Sequence, residues 1–148
     1  MVVRLEFTSA FEMLDFVQVV SDHVGQTLGL DDDTQHYVGV AIRECVINAI
    51  MHGNRNDSSK HVFVEFSTAH APHSVLTIRV RDQGDGFDPE KVPDPLAPEN
   101  LLKGSGRGIF LIRSFMDEMV LQRAAEGGME MVMVKRCGPV QDSGCLSA

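Results

Sequence analysis

The sequence predicts an α+β two-layer sandwich: a mixed, mainly antiparallel sheet with helices packed on one face. Three observations carry this. From Val75 to Asp82 the period is two, with Leu76, Ile78 and Val80 on one face and Thr77, Arg79 and Arg81 on the other, as in an antiparallel strand with one wet face. Stretches of helical period are interleaved with such runs. No strand is apolar on both faces, as a doubly wound parallel sheet requires. The 148 residues suit one domain, expected over residues 1–136, and residues 137–148 are expected to form a disordered tail.

Taken in order, Val2 to Phe7 predicts a short strand. Ser9-Ala10-Phe11-Glu12 has the pattern of a capping box, with Ser9 accepting from a free backbone N–H and Glu12 reaching back. Met13, Phe16, Val17, Val20, Val24 and Leu28 then recur at helical spacing up to the stop at Gly29. Phe11, Leu14 and Val19 widen the stripe toward a second face. Asp31-Asp32-Asp33-Thr34 opens a longer helix to about Met51, with acids that complement the helix dipole and Gly53 as its stop. Strands follow at Lys60 to Phe66 and Val75 to Asp82, with Ala69 to Ser74 as the turn. A third helix fits Gly108 to Met116. Strands at Met119 to Arg123 and Met129 to Lys135 are joined by the hairpin signal Gly127-Gly128.

Thirteen Lys and Arg against 21 Asp and Glu give a net charge of −8, a field that repels phosphate backbones and argues against direct nucleic-acid binding. The N-terminus lacks the apolar core of a signal peptide, and no apolar run approaches the roughly 20 residues a bilayer requires. Three cysteines, Cys45, Cys137 and Cys145, are an odd number without a Cys-x-x-Cys pair, which points to reduced thiols and the cytoplasm. A Cys137–Cys145 bridge is the alternative.

Three clusters carry chemistry. In Glu44-Cys45-Val46-Ile47-Asn48-Ala49-Ile50-Met51-His52-Gly53-Asn54, steps of four residues drift by only about 40°, so Glu44, Asn48 and His52 share a helix face. A carboxylate one turn before an amide supplies a general base beside a neutral oxygen ligand for a hard cation. In Asp82-Gln83-Gly84-Asp85-Gly86, Asp82 keeps the parity of the inward residues, so its carboxylate points to the buried side and needs a donor, such as the exocyclic amine of adenine. Gly84 and Gly86 let the backbone approach a flat ring. In Gly104-Ser105-Gly106-Arg107-Gly108, glycine-rich backbone leads into a helix N-terminus, an anion site to which Lys103 or Arg107 adds charge. Each cluster alone also reads as an exposed helix face, a strand-ending turn or a hinge. Between the last two, Asp88 to Lys103 holds Pro89, Pro93, Pro95 and Pro98, a long loop suited to a lid.

In this order the clusters resemble the GHKL (Bergerat) ATP-binding superfamily and, more closely, the anti-sigma-factor serine kinases of bacteria. The resemblance covers about Phe7 to Arg136. It implies that Asn48 holds Mg²⁺ on the ATP phosphates, that Asp82 accepts from the adenine amine with Gly84 and Gly86 supporting the ring, and that the box from Lys103 through Gly104, Ser105, Gly106, Arg107 and Gly108 cradles the phosphates. Glu44 is implied as base on an incoming serine hydroxyl, and Asp88 to Lys103 as an ATP lid. His52 matches a histidine common in the first motif, for which a structural role is expected. Two positions depart from the family pattern: Arg107 replaces an apolar residue, and Gly104 stands where a basic residue often meets the terminal phosphate, with Lys103 the nearest substitute. Both bear on transfer more than on binding.

The function so implied is an anti-sigma factor and ATP-dependent serine protein kinase. It would phosphorylate a serine on a STAS-type anti-anti-sigma antagonist and otherwise sequester a sigma factor, as a homodimer. One alternative is a nucleotide-gated binding module without catalysis. Another is the ATP-binding domain of a histidine kinase, for which the upstream hairpin with a phosphoacceptor histidine is missing from this sequence.

Overall fold

Alternation along the strands and helical periodicity between them build a sheet covered on one side. The computed structural model describes residues 1–70, 72–86 and 106–139. The strands are β1 (Val2–Thr8), β2 (His61–Ala69), β3 (His73–Arg81), β4 (Glu118–Arg123) and β5 (Met129–Pro139). The helices are α1 (Leu14–Leu28), α2 (Asp32–Asn48) and α3 (Gly106–Phe115). Strand order is β1-β2-β3-β5-β4. The predicted two-layer sandwich is the fold adopted, and its sheet is antiparallel in every described pairing. β2–β3 and β4–β5 are hairpins, while α1 with α2, and then α3, sit on the crossovers.

Val62, Val64 and Phe66 of β2, Leu76, Ile78 and Val80 of β3, and Met129, Met131 and Met133 of β5 all point to one side. There all of them but Met129 meet Val17 and Val24 of α1, Ile42 and Val46 of α2 and Ile112 of α3 in one core. Each such side chain contributes about 1.5–3 kcal/mol by leaving water. The other face carries a polar ladder across all five strands. Arg4 Nε donates to Glu65 Oε2 at 2.8 Å, and Arg79 Nη1 donates to Glu130 Oε1 at 3.3 Å. Arg79 Nε lies 3.9 Å from Glu65 Oε1, and Gln122 Nε2 donates to Glu130 Oε1 at 2.9 Å. Exposed pairs of this kind contribute at most about 1 kcal/mol each, so the ladder keeps the open face wet more than it stabilises the sheet.

Several elements differ from the sequence reading. The Ser9–Glu12 capping box does not form. Ser9 stands just past β1, donating its backbone N–H to Lys60 O at 3.0 Å, and its buried Oγ has no hydrogen-bond partner among the described residues. The chain enters α1 through a 3-10 turn, Phe11–Met13, behind an uncapped Ala10. On α1 the inward stripe runs through Leu14, Val17, Ser21 and Val24, which leaves Phe16 outside with Phe11 and Val19. β2 and β3 are longer than expected, so His73 and Ser74 belong to β3 and not to the turn. α3 begins at Gly106, which puts Gly106, Arg107 and Gly108 in its first turn and not in a preceding loop. β5 runs past Cys137 to Pro139. Asp31 caps α2, accepting from Thr34 N–H at 2.7 Å, and Gly29 ends α1 in the left-handed region at φ 73°.

Candidate functional site

The end of α2 builds the first wall of the site. Past Asn48 the helix does not run on regularly to Gly53 but widens into a π turn, Ala49–Gly53. Asn54 N–H reaches Ala49 O at 2.8 Å, and Asn56 N–H reaches Ile50 O at 2.8 Å. Arg55 and Asn56 then take left-handed backbone at φ 53° and 60°. Asn tolerates this region, whereas at Arg55 it costs on the order of 1 kcal/mol, a strain found mostly at functional sites. π turns within helices likewise concentrate at such sites.

Asp82 follows β3 on the inward side, as its parity predicts, and is 5% exposed. Its Oδ1 accepts from Gly84 N–H at 2.9 Å and from Met129 N–H at 3.1 Å. These two backbone donors satisfy one oxygen of the buried carboxyl group. Oδ2 stands where a Cβ on residue 53 would be, and a Cβ on residue 84 would run into the Gly53 carbonyl. Glycine at both positions is what lets the π turn and the loop after β3 close around Asp82.

Between these walls lies a cleft of about 400 Å³. Asn48 and His52 line it from the end of α2, Asp82 and Gly86 from the loop after β3, and Leu121 and Met129 from β4 and β5. Cys45 is at its floor, where burial, with the negative Asp82 adding to it, pushes the thiol pKa far up. An apolar slot with a few convergent polar groups is the usual form of a small-molecule site. A flat ring suits the Met and Leu walls, Asp82 suits a donor on its edge, and the Asn48 amide suits a hard cation.

Of the residues the sequence singles out, Asn48, Asp82 and Gly86 share this cleft. His52 is exposed on its wall. Gly84 supports Asp82 from outside the lining. Glu44 is half-buried one turn before Asn48 and does not line the cleft among the described residues. Gly106, Arg107 and Gly108 lie on α3, which packs on α2 partly through Tyr37 stacked against Phe115, with ring centroids 4.7 Å apart. Lys103, Gly104, Ser105, the lid segment Asp88 to Lys103, Cys145 and residues 140–148 are outside the described residues. Cys45 and Cys137 carry free thiols.

Two residues at the site were not found from sequence. Arg55 lines the cleft, and Asn54 is buried behind it. In sequence they are merely polar residues after a glycine stop. The run Gly53-Asn54-Arg55-Asn56 announces a turn but not which way it faces.

Residues 8–135 match the family described as the histidine kinase-like ATPase domain. The chain belongs to this family. The anti-sigma F factor of Clostridium perfringens (strain 13 / Type A) is 33% identical to this chain over 140 residues, covering 90% of this chain and 94% of the relative. The serine-protein kinase RsbW of Bacillus licheniformis is 28% identical over 130 residues, covering 84% of this chain and 78% of the relative. The likeness to GHKL anti-sigma-factor kinases read from the three motifs is thereby borne out. Among solved structures, the histidine kinase domain of the blue-light activated histidine kinase from Erythrobacter litoralis EL346 superposes with a TM-score of 0.50 at 16% identity, over 88% of this chain and 61% of that one. That likeness concerns the histidine kinase-like ATPase fold alone. Among the described residues no helix is long and apolar enough to cross a membrane.

Proposed function

We propose that this histidine kinase-like ATPase domain binds Mg-ATP in the cleft, transfers its terminal phosphate to a serine of a STAS-type anti-anti-sigma protein, and binds a sigma factor as the competing partner. The observation that carries the reading is the meeting of Asn48, Asp82 and Gly86, from two separate motifs, on one 400 Å³ cleft. The names of the two relatives support the kinase and anti-sigma roles.

Asp82 would accept from the adenine amine, with Gly86 at the ring. The Asn48 oxygen would hold Mg²⁺, which neutralises phosphate charge when bound. The backbone N–H groups of the first turn of α3, at Gly106, Arg107 and Gly108, would receive the phosphates with Lys103, Gly104 and Ser105. Glu44 would take the proton of the serine hydroxyl, and the rest of catalysis is positioning. Asp88 to Lys103 would act as the ATP lid, and a homodimer in the cytoplasm is the working form.

The test uses extract of the source organism with γ-labelled ATP, Mg²⁺ and either wild-type protein or Glu44→Gln. The expected result is a labelled serine on a small protein with wild type alone, with ATP binding kept in the variant. One observation favours a second reading, a nucleotide-gated binding module without catalysis: Glu44 stands off the described lining of the cleft. Under that reading neither protein labels anything, although both bind ATP.

A further inference from the structure

Asn54 has no role in the reading above, yet it is fully buried and hydrogen-bonds to three separate segments. Its backbone N–H closes the π turn on Ala49 O at 2.8 Å. Its side-chain Oδ1 accepts from Gln83 N–H at 2.8 Å, and its Nδ2 donates to His61 O at 3.0 Å. Gln83 returns to β2 through its own side chain, where Oε1 accepts from His61 N–H at 2.7 Å. Asn54, Gln83 and His61 thus form a closed ring joining the end of α2, the start of β2 and the loop after β3.

The neighbours of this ring are the two residues whose spacing decides where the free carboxylate oxygen stands. Asp82 immediately precedes Gln83, and Gly53 immediately precedes Asn54. Met129 holds Asp82 Oδ1 from β5 and Gly84 holds it from the loop itself, while Oδ2 is against Gly53. The ring therefore fixes the side of Asp82 that the β5 bonds leave unfixed.

We infer that Asn54 is the positioning residue that sets base selectivity in the cleft, by holding Gln83 and Gly53 so that Asp82 Oδ2 keeps its place. This rests on the proposed reading of Asp82 as the acceptor for an exocyclic purine amine. A carboxylate there favours the amine of adenine and repels the carbonyl oxygen that guanine carries at the same ring position. A general loosening of the fold weakens ATP and GTP binding alike, whereas a displaced Asp82 changes their ratio.

The experiment is calorimetric titration of ATP and of GTP, each with Mg²⁺, into the full chain as wild type, Asn54→Ala, Gln83→Ala and Asp82→Asn. Wild type is expected to prefer ATP, and Asp82→Asn to lose that preference. Asn54→Ala should lower the ATP-to-GTP affinity ratio by about tenfold, and Gln83→Ala by a smaller factor. Gln83 is exposed, so its variant folds and decides the matter if Asn54→Ala does not. An unchanged ratio in folded Asn54→Ala, or in Gln83→Ala where the first variant fails to fold, overturns the inference. If Asp82→Asn loses the preference in the same series, the Asp82 reading stands without it. A preference that survives in Asp82→Asn overturns both.

Discussion

Asp82 and Met129 are bonded to each other twice, Asp82 N–H to Met129 O at 3.0 Å and Met129 N–H to Asp82 Oδ1 at 3.1 Å. One residue therefore extends the β3–β5 pairing and also presents the carboxylate of the cleft. The carboxyl group, on the first residue after β3, is thus held by backbone bonds to the sheet. Asp82→Asn keeps the size but loses the charge-assisted bonds, so ATP affinity should fall about 10- to 100-fold by calorimetry. Urea unfolding should show a loss of about 1–2 kcal/mol, since the amide accepts less strongly from Gly84 and Met129.

Gly53 and Gly29 separate steric from conformational cost. A Cβ on residue 53 collides with the Asp82 carboxylate, whereas residue 29 has open space but left-handed backbone at φ 73°. Gly53→Ala should cost about 1–3 kcal/mol and nearly abolish ATP binding. Gly29→Ala should cost about 1 kcal/mol and leave binding intact. Urea midpoints and nucleotide titration of the two variants check both halves.

Asp31 makes the start of α2 sensitive to acid. The Thr34 backbone N–H and hydroxyl on its carboxylate hold its pKa below the ordinary value. A depressed folded pKa gives stability that is complete above the ordinary carboxylate value and lost as pH falls through the folded one. The Tm gap between wild type and Asp31→Ala should therefore be widest near neutral pH and close in acid. A gap that stays constant from pH 7 to about 2.5 contradicts this.

Cys45 and Cys137 should differ in reactivity. Burial raises the pKa of both thiols, but Cys45 is buried at the floor of the cleft whereas Cys137 is half-buried on β5. The thiolate is the reactive form, so iodoacetamide at about pH 8 should label Cys137 first and Cys45 only on unfolding. Peptide mass spectrometry reads the order of labelling.

The sheet and the depth of Asp82 were legible because a period of two records burial directly, and Asp82 simply continues Leu76, Ile78 and Val80. The phase of α1 was less so. A stripe drawn through Phe16 is one position away from the one through Leu14 and Val17, and packing against α2 chooses between them. Ser9 shows the same competition, since its local capping pattern is overridden when Lys60 O takes its N–H just past β1. Asn54 left no local trace. Its partners His61 and Gln83 are distant in sequence, and nothing in a lone Asn after Gly53 distinguishes a buried junction from an exposed turn.

The π turn after Asn48 has a consequence for aligning and shortening this chain. A π turn holds about one residue more than an α turn, so a regular helix through Ala49–Gly53 would rotate everything beyond it by about 100°. Gly53 would then leave Asp82, and Asn54 would leave His61 and Gln83. A relative with a single deletion here keeps all three motifs in its text and loses the register that brings them together. At this place the count of residues, as much as their kind, is inherited information.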